Sequence, residues 1–326
     1  MSLNEAAAFL ASMDLPSRDL DDLPTSEKRF PDGAQFRIEI PSTEGPASLC
    51  AVLDEADRRD VPVHRVSQGS GVLLLTDAEL DEMAAVAADA AVEVSLSARP
   101  HAAWGTSAMA RTAAGGGVGS SARGQAQLVY QLEDARRAAA HGFRSVLVTD
   151  IGTLSVFDLM RRGGVLPASM QAKVSVLLPV ANAASARVVA QLGASTLNVP
   201  TDLTLGQIAA IRAAIDAPLD VYIESADEFG GFIRYNELAD LIRVAAPVYL
   251  KLGLRNAADV YPAGSHLEST VVALSRERVR RAEIALEMIG RTFPDAVISE
   301  RGAEGLALIE SGFAAASPQD GRPLIS

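Results

Sequence analysis

The sequence predicts an α/β chain folded as a closed (β/α)8 barrel of the TIM type, with a short N-terminal helical extension and a C-terminal tail. Three observations predict it. Strand-like and helix-like runs alternate eight times between Phe36 and Phe293, that span suits a barrel of about 250 residues, and the strands carry their polar side chains on one parity. The main alternative is an open doubly wound sheet. It would usually place a Gly-rich phosphate turn after its first strand, where IPSTEGPAS offers only Gly45.

Taken in order, residues 1–35 read as an extension. An amphipathic helix from Leu3 to Met13 sets Leu3, Ala6, Leu10 and Met13 on one face and is followed by a linker containing Pro and Asp. The barrel is placed at 36–293. FRIEIPS is followed by a helix at 47–60, VHRVSQ by 76–90, VEVSLSARP by 127–142 and SVLVTD by 153–162. The second half continues with KVSVLLP and 183–192, STLNVP and 204–215, LDVYIES and 235–244, then VYLKLGL and the helix SRERVRRAEIALEMIGRTF. Thr76 with Glu79 is a capping-box signature, and Ser275 is the expected N-cap of the last helix. Residues 294–326 are Ala- and Gly-rich and are read as a peripheral tail.

Composition narrows the function. A chain of 326 residues with 48% hydrophobic and 21% charged residues is an ordinary globular mixture. No apolar run is long enough to span a bilayer, and MSLNEAAAFLASMD lacks a basic leader, so the expectation is a cytoplasmic protein with no membrane partner. The net charge of -12 opposes nucleic-acid binding. The single cysteine, Cys50, excludes an internal disulfide, a four-thiolate zinc site and an all-cysteine iron–sulfur cluster within one chain, and its helical context reads as buried packing. The expected partner is a small-molecule substrate; a homo-oligomer remains open.

The stretch that organises the candidate site is PLDVYIESADEFGGFIRYNELADLIRVAAPVYLKLGLRN, read as strand, loop, helix, strand. Each strand has a polar parity, and in a barrel wrapped by helices that parity points inward. Taken inward on every strand, it gives Arg37, Glu39, Arg65, Ser67, Ser95, Ser97, Arg99, Thr149, Lys173, Ser175, Thr196, Asn198, Asp220, Tyr222, Glu224, Tyr249 and Lys251. A purely structural barrel interior is dominated by Val, Ile and Leu, so this ionic one favours a ligand site; paired salt bridges at a closed end are the bland alternative.

Glu224, Lys251 and Lys173 are the candidate catalytic groups. Lys251 and Glu224 lie on neighbouring strands, and Glu39 lies on the strand that closes the barrel beside Lys251. An inward lysine anchors an anion or, desolvated, serves as base or Schiff-base nucleophile, and a buried Glu224 suits general acid/base work. Lys173 with Asn198 suits a substrate carbonyl or carboxylate. Arg37, Glu39, Arg65, Ser67, Arg99, Asn198, Tyr222, Arg255 and His266 are expected to bind substrate. The eighth loop, LRNAADVYPAGSHLES, is dense in functional groups, and the alternative for His266 is a buttress of the last helix. The third loop, Pro100 to Gln125, holds Trp104 and the run GGGVGSSARG and reads as a lid. No metal motif exists by spacing; Glu39, Glu224 and Asp150 are the carboxylates that would hold Mg²⁺ or Mn²⁺ if they met at the barrel mouth.

At LDVYIESADEFGGFIRYNELADLIRVAAPVYLKLGLRN and the preceding LGASTLNVPTDLTLGQIAAI, the chain resembles the collagenase-like peptidase family of unassigned mechanism, peptidase family U 32. The resemblance is read over about 36–293 and implies a TIM-type barrel and, by the family's name, peptidase activity. The family's hallmark is a cysteine cluster after an acidic strand end. Glu224, Gly230 and Gly231 match that pattern loosely, but no cysteine follows, so no thiol mechanism carries over. There is also no G-x-S-x-G elbow and no H-E-x-x-H. Three readings stand: a diverged barrel enzyme of lyase, isomerase or hydrolase type acting on a small anionic or carbonyl-bearing metabolite, a peptidase, and a non-catalytic binding subunit of a hetero-oligomer.

Overall fold

The computed structural model describes residues 3–17, 22–105, 108–112, 119–310 and 313. Eight parallel strands close in sequence order into one barrel: β1 (Phe36–Pro41), β2 (Val63–Gln68), β3 (Glu93–Ser97), β4 (Ser145–Val148), β5 (Gln171–Val174), β6 (Thr196–Asn198), β7 (Leu219–Glu224) and β8 (Val248–Leu252). The order confirms the predicted (β/α)8 class and leaves no switch point of an open sheet.

Helices follow the strands in turn: α2 (Pro46–Arg59), α3 (Asp77–Asp89), α4 (Gly124–Ala140), α5 (Ile151–Arg162), α6 (Ala183–Gln191), α7 (Leu205–Ala214), α8 (Leu238–Ala245) and α9 (Glu268–Thr292), with α1 (Leu3–Ser12) ahead of the barrel. Their starts are chemically marked. Thr76 and Glu79 make the predicted reciprocal capping box, Thr204 and Gln207 make another, and Asp150 and Asn182 each accept a backbone N–H three residues on. Ser275 is not a cap: α9 begins seven residues earlier at Glu268, and Ser275 is buried inside it. Cys50 is half-buried rather than fully packed.

The main apolar core lies between sheet and helices, where Val, Ile and Leu of the outward parity, such as Ile38, Val66, Val146, Val221 and Leu250, meet Leu49, Leu80, Phe157, Ile211 and Leu241. The inward parity is left polar.

Two bulges break the regular register. One lies between Ile38 and Glu39 in the β1–β2 pair, the other between Tyr222 and Glu224 in the β7–β8 pair. The second reorients a residue central to the sequence reading.

The tail is not peripheral. Gln35 N and Phe36 N donate to Val297 O, Arg37 Nε donates to Ser299 Oγ at 2.8 Å, and Ala307 N donates to Glu93 Oε2 at 3.1 Å. Together with Phe30, which packs edge-on against Tyr249 at 5.3 Å, these residues close the N-terminal end of the barrel. The open end is therefore the C-terminal one.

Candidate functional site

The interior polar residues form a stack along the barrel axis. Adjacent-strand register sets Glu39 beside both Arg65 and Lys251, Lys173 beside Thr196, Asn198 beside Asp220, and Tyr222 beside Lys251. In the middle layer two carboxylates are shared by two cations. Glu39 Oε2 accepts from Arg65 Nη2 at 2.5 Å and Lys173 Nζ at 2.6 Å; Asp220 accepts from Arg65 Nη2 at 2.5 Å and Lys173 Nζ at 2.7 Å. Ser67 and Thr196 donate to the same carboxylates, and the Arg65 guanidinium lies 3.5 Å over the Tyr249 ring.

Burial alone would raise the Glu39 carboxyl, but the charges of Arg65, Lys173 and Lys251 hold it well below its usual range. Burial, then repulsion from Arg65, brings the Lys173 ammonium down to about 8. Glu39, Arg65, Lys173 and Asp220 are paired with one another in a buried layer and do not line the cavity above.

Lys251 belongs to the layer above. Its Nζ lies 3.3 Å from Glu39 Oε1 and 4.4 Å from the Tyr222 ring centre. With the Asn198 amide turned to satisfy both of its ends, Asn198 accepts from Lys251 Nζ at 2.7 Å and donates to Asp220 O at 3.1 Å. Lys251 thus forms part of the floor of a cavity of about 280 Å³ at the C-terminal mouth. Arg99, Trp104, Tyr222, Tyr261, Glu228 and Phe229 contribute to its walls.

The wall is built by loop-to-loop contacts. Arg99 Nε donates to Gly69 O at 2.8 Å while its guanidinium stacks 4.0 Å over Trp104. Glu44 accepts from the backbone amides of Gly69 and Ser70, fixing the second loop, and a side chain at Gly69 would overlap the Tyr261 ring. Tyr261 Oη sits 2.5 Å from Ser42 Oγ, and burial pushes its phenol pKa up, so it stays a neutral hydroxyl. Burial and the neighbouring Asp259 push the Glu228 carboxyl up as well.

Of the predicted site residues, Ser67, Arg99, Asn198, Tyr222 and Lys251 line this cavity; Glu39, Arg65 and Lys173 lie beneath it as the paired layer. The others lie elsewhere. Glu224 does not join Lys251: the bulge at its position turns it to the outer layer, where it accepts from Arg255 N at 3.0 Å and Tyr235 Oη at 3.1 Å, with Arg281 Nε at 3.7 Å. Arg37 is inward but at the closed end, bonded to Ser299, Tyr249 and Glu304 O. Arg255 is exposed and faces Asp227, and His266 is exposed ahead of α9, away from the cavity.

Lys173 pairs with Glu39 and Asp220 instead of Asn198. Asp150 is spent as the cap of α5 and an acceptor for Ala122 N, so it does not meet Glu39 and Glu224; among the described residues no group of three His, Cys, Asp or Glu converges. Of the third loop, Trp104 is in place, but the glycines at 115–117 lie outside the described residues. Sequence reasoning missed Glu228 and Tyr261 as wall residues; the density of functional groups in the eighth loop was the available signal for Tyr261. Among the described residues no helix is long and apolar enough to cross a membrane.

Comparison with known proteins gives the fold partners. A putative fructose-1,6-biphosphate aldolase from Coccidioides immitis superposes with a TM-score of 0.50 at 11% identity, covering 79% of this chain and 93% of that one. The U32 peptidase Mk0906 matches over 72% of this chain and 97% of its own at 14% identity and a TM-score of 0.39. At 11% identity the likeness to the aldolase concerns the barrel fold alone. No curated protein matches the chain. The sequence profile described as Peptidase family U32 matches residues 125–227, a narrower span than the resemblance read from sequence. From α4 to the loop that follows β7, the chain is therefore similar in sequence to Peptidase family U32.

Proposed function

We propose that the chain is a barrel enzyme that binds a small anionic or carbonyl-bearing metabolite at the C-terminal mouth, with Lys251 as the cation that meets it. The observation that carries this reading is the position of Lys251, buried to 2% exposure yet lining the cavity floor. Below it, Arg65 and Lys173 take up the oxygens of Glu39 and Asp220, leaving Lys251 with one long contact to Glu39 and a neutral amide. Arg99 adds a second wall cation that has no carboxylate within 4 Å among the described residues. In a cavity partly shielded from water, two incompletely neutralised cations favour an anionic or strongly polarised group.

Lys251 beside Glu39 suits a charged anchor rather than a free amine nucleophile. Glu228, the cavity carboxyl with a raised pKa, is the side chain suited to proton transfer, in place of Glu224. Outward placement of Glu224 also favours, as a second reading, a binding protein without turnover.

Thermal-shift screening of keto acids, sugar acids, phosphate esters and peptides tests the reading. A wild-type melting temperature raised by a metabolite acid and unmoved by it in Lys251→Met supports the assignment; a shift retained in Lys251→Met refutes it. Turnover of the same compound separates enzyme from binder. Borohydride trapping of a carbonyl ligand on Lys251 would replace the anchor role by a Schiff base.

A further inference from the structure

A second cavity of about 270 Å³ lies between the loops after β7 and β8 and shares Ser42, Tyr222, Glu228, Phe229, Asp259 and Tyr261 with the first. Its wall includes Arg278, which α9 projects inward. Arg278 is 4% exposed, its Nη1 donates to Ser42 O at a long 3.3 Å, and its Nε is buried without a partner. No carboxylate lies within 4 Å of it among the described residues. Glu44 is committed to the amides of Gly69 and Ser70. Asp227 is bonded to Asn256 N and faces Arg255, while Asp259 accepts from Tyr261 N.

A buried guanidinium whose Nε has no partner and whose Nη1 makes a single long hydrogen bond is costly unless its charge is met by something of opposite sign. Its planar fork fits a compact oxyanion, and in barrels of this class phosphate groups are often taken by the loops after the seventh and eighth strands. Of the acidic side chains near it, Asp227 and Asp259 stand at the exposed rim, where solvent screens them, and burial pushes the Glu228 carboxyl toward its neutral form.

We infer that Arg278 forms a phosphate-binding subsite in this second lobe, so that the metabolite carries two anionic groups, one met by Lys251 and the other by Arg278. The inference deepens the proposed function and rests on it for the Lys251 end only. Ser42, Tyr222 and Tyr261 then flank the middle of the ligand, with the hydroxyl pair of Ser42 and Tyr261 available to its uncharged polar groups.

The test uses inorganic phosphate and 2-phosphoglycolate, a carboxylate and a phosphate in one small molecule, against wild type, Lys251→Met and Arg278→Met. Phosphate should stabilise wild type and Lys251→Met but not Arg278→Met. Phosphoglycolate should bind wild type at least about tenfold more tightly than phosphate or glycolate alone, an advantage lost in either variant. Without ligand, Arg278→Met should melt no lower than wild type, because it removes an unpaired buried charge. Arg278→Lys, which keeps the charge without the fork, should fold and bind phosphate more weakly than wild type.

The inference is overturned by no stabilisation of wild type by phosphate, by stabilisation that survives in Arg278→Met, or by ligand-free melting lowered in both Arg278 variants, which assigns the arginine to packing. Loss of phosphate binding in Lys251→Met alone would refute the second subsite while leaving the anchor role of Lys251 standing. Retained glycolate binding in Lys251→Met would refute the anchor while leaving the subsite intact.

Discussion

Glu39 and Arg65, on adjacent strands, are joined by two hydrogen bonds to one carboxylate oxygen, from Nε at 2.9 Å and Nη2 at 2.5 Å, with no exposed surface on either side chain. The same oxygen takes the Lys173 ammonium. This junction holds together five of the eight strands, β1, β2, β5, β7 and β8, through Glu39, Arg65, Lys173, Asp220 and Lys251. It closes the barrel with charges where such folds ordinarily use branched aliphatics.

Removing Lys173 should therefore damage the fold. Lys173→Met leaves Glu39 and Asp220 sharing one fewer cation and is expected to cost about 3–5 kcal/mol in urea unfolding. Adding Asp220→Asn should restore part of the loss by rebalancing the charge. Lys251→Met, by contrast, should unfold close to wild type. Comparable losses at the two lysines would merge the floor and the buried layer into one structural unit.

Glu224 is expected to matter for stability and not for ligand. Glu224→Gln weakens the contacts to Arg255 N, Tyr235 and Arg281 and should cost about 1–3 kcal/mol, with metabolite affinity unchanged. Isothermal titration alongside denaturation reads both.

His64 ties the tail to the barrel. Its Nδ1 accepts from Ile38 N and its Nε2 donates to Ser299 O, so the folded ring is neutral, and burial lowers its pKa from 6.5 to about 4. Because the folded value is the lower one, the unfolded chain takes up the proton first. The stabilisation is fully present above pH 6.5 and is lost as pH falls toward 4. Limited proteolysis of residues 297–310 should accelerate over that window, and His64→Gln should flatten the dependence.

Asp134 behaves in the opposite sense. It accepts from Arg99 N, and burial raises its pKa from 3.8 to about 7. The folded state binds the proton more tightly, so the contribution of Asp134 to stability is greatest below pH 3.8 and declines as pH rises through 7. Asp134→Asn should melt higher than wild type above that range, by on the order of 1–4 kcal/mol at about 1.4 kcal/mol per pKa unit, and the difference should vanish at the acid end.

The alternation of strand and helix made the barrel legible, because each period is local. Parity likewise found the inward positions of Glu39, Arg65, Lys173, Asn198, Tyr222 and Lys251. It failed at Glu224, where one extra residue in β7 reverses the faces, and a bulge leaves no trace in hydrophobic alternation. Arg37 shows a different limit: parity tells which face a side chain takes, not its height along the axis, and its strand sits low enough to bond the tail. Arg255 and His266 lie in a loop whose chemistry is visible but whose direction is set by neighbours such as Glu224 and Asp227. Arg278 lay hidden in the arginine-rich RERVRR segment of a surface helix, where only packing distinguishes a buried guanidinium from solvated ones.

The fully buried cations of the axis sit inside a protein whose net charge is -12. A small anion therefore approaches through a repulsive outer field and is captured only once it has entered the mouth, where water is scarce and the sign of the potential reverses. Salt screens the outer field much more than the inner one. Association of such a ligand should quicken as ionic strength rises from low values, the reverse of the behaviour of a protein that draws anions with a basic surface.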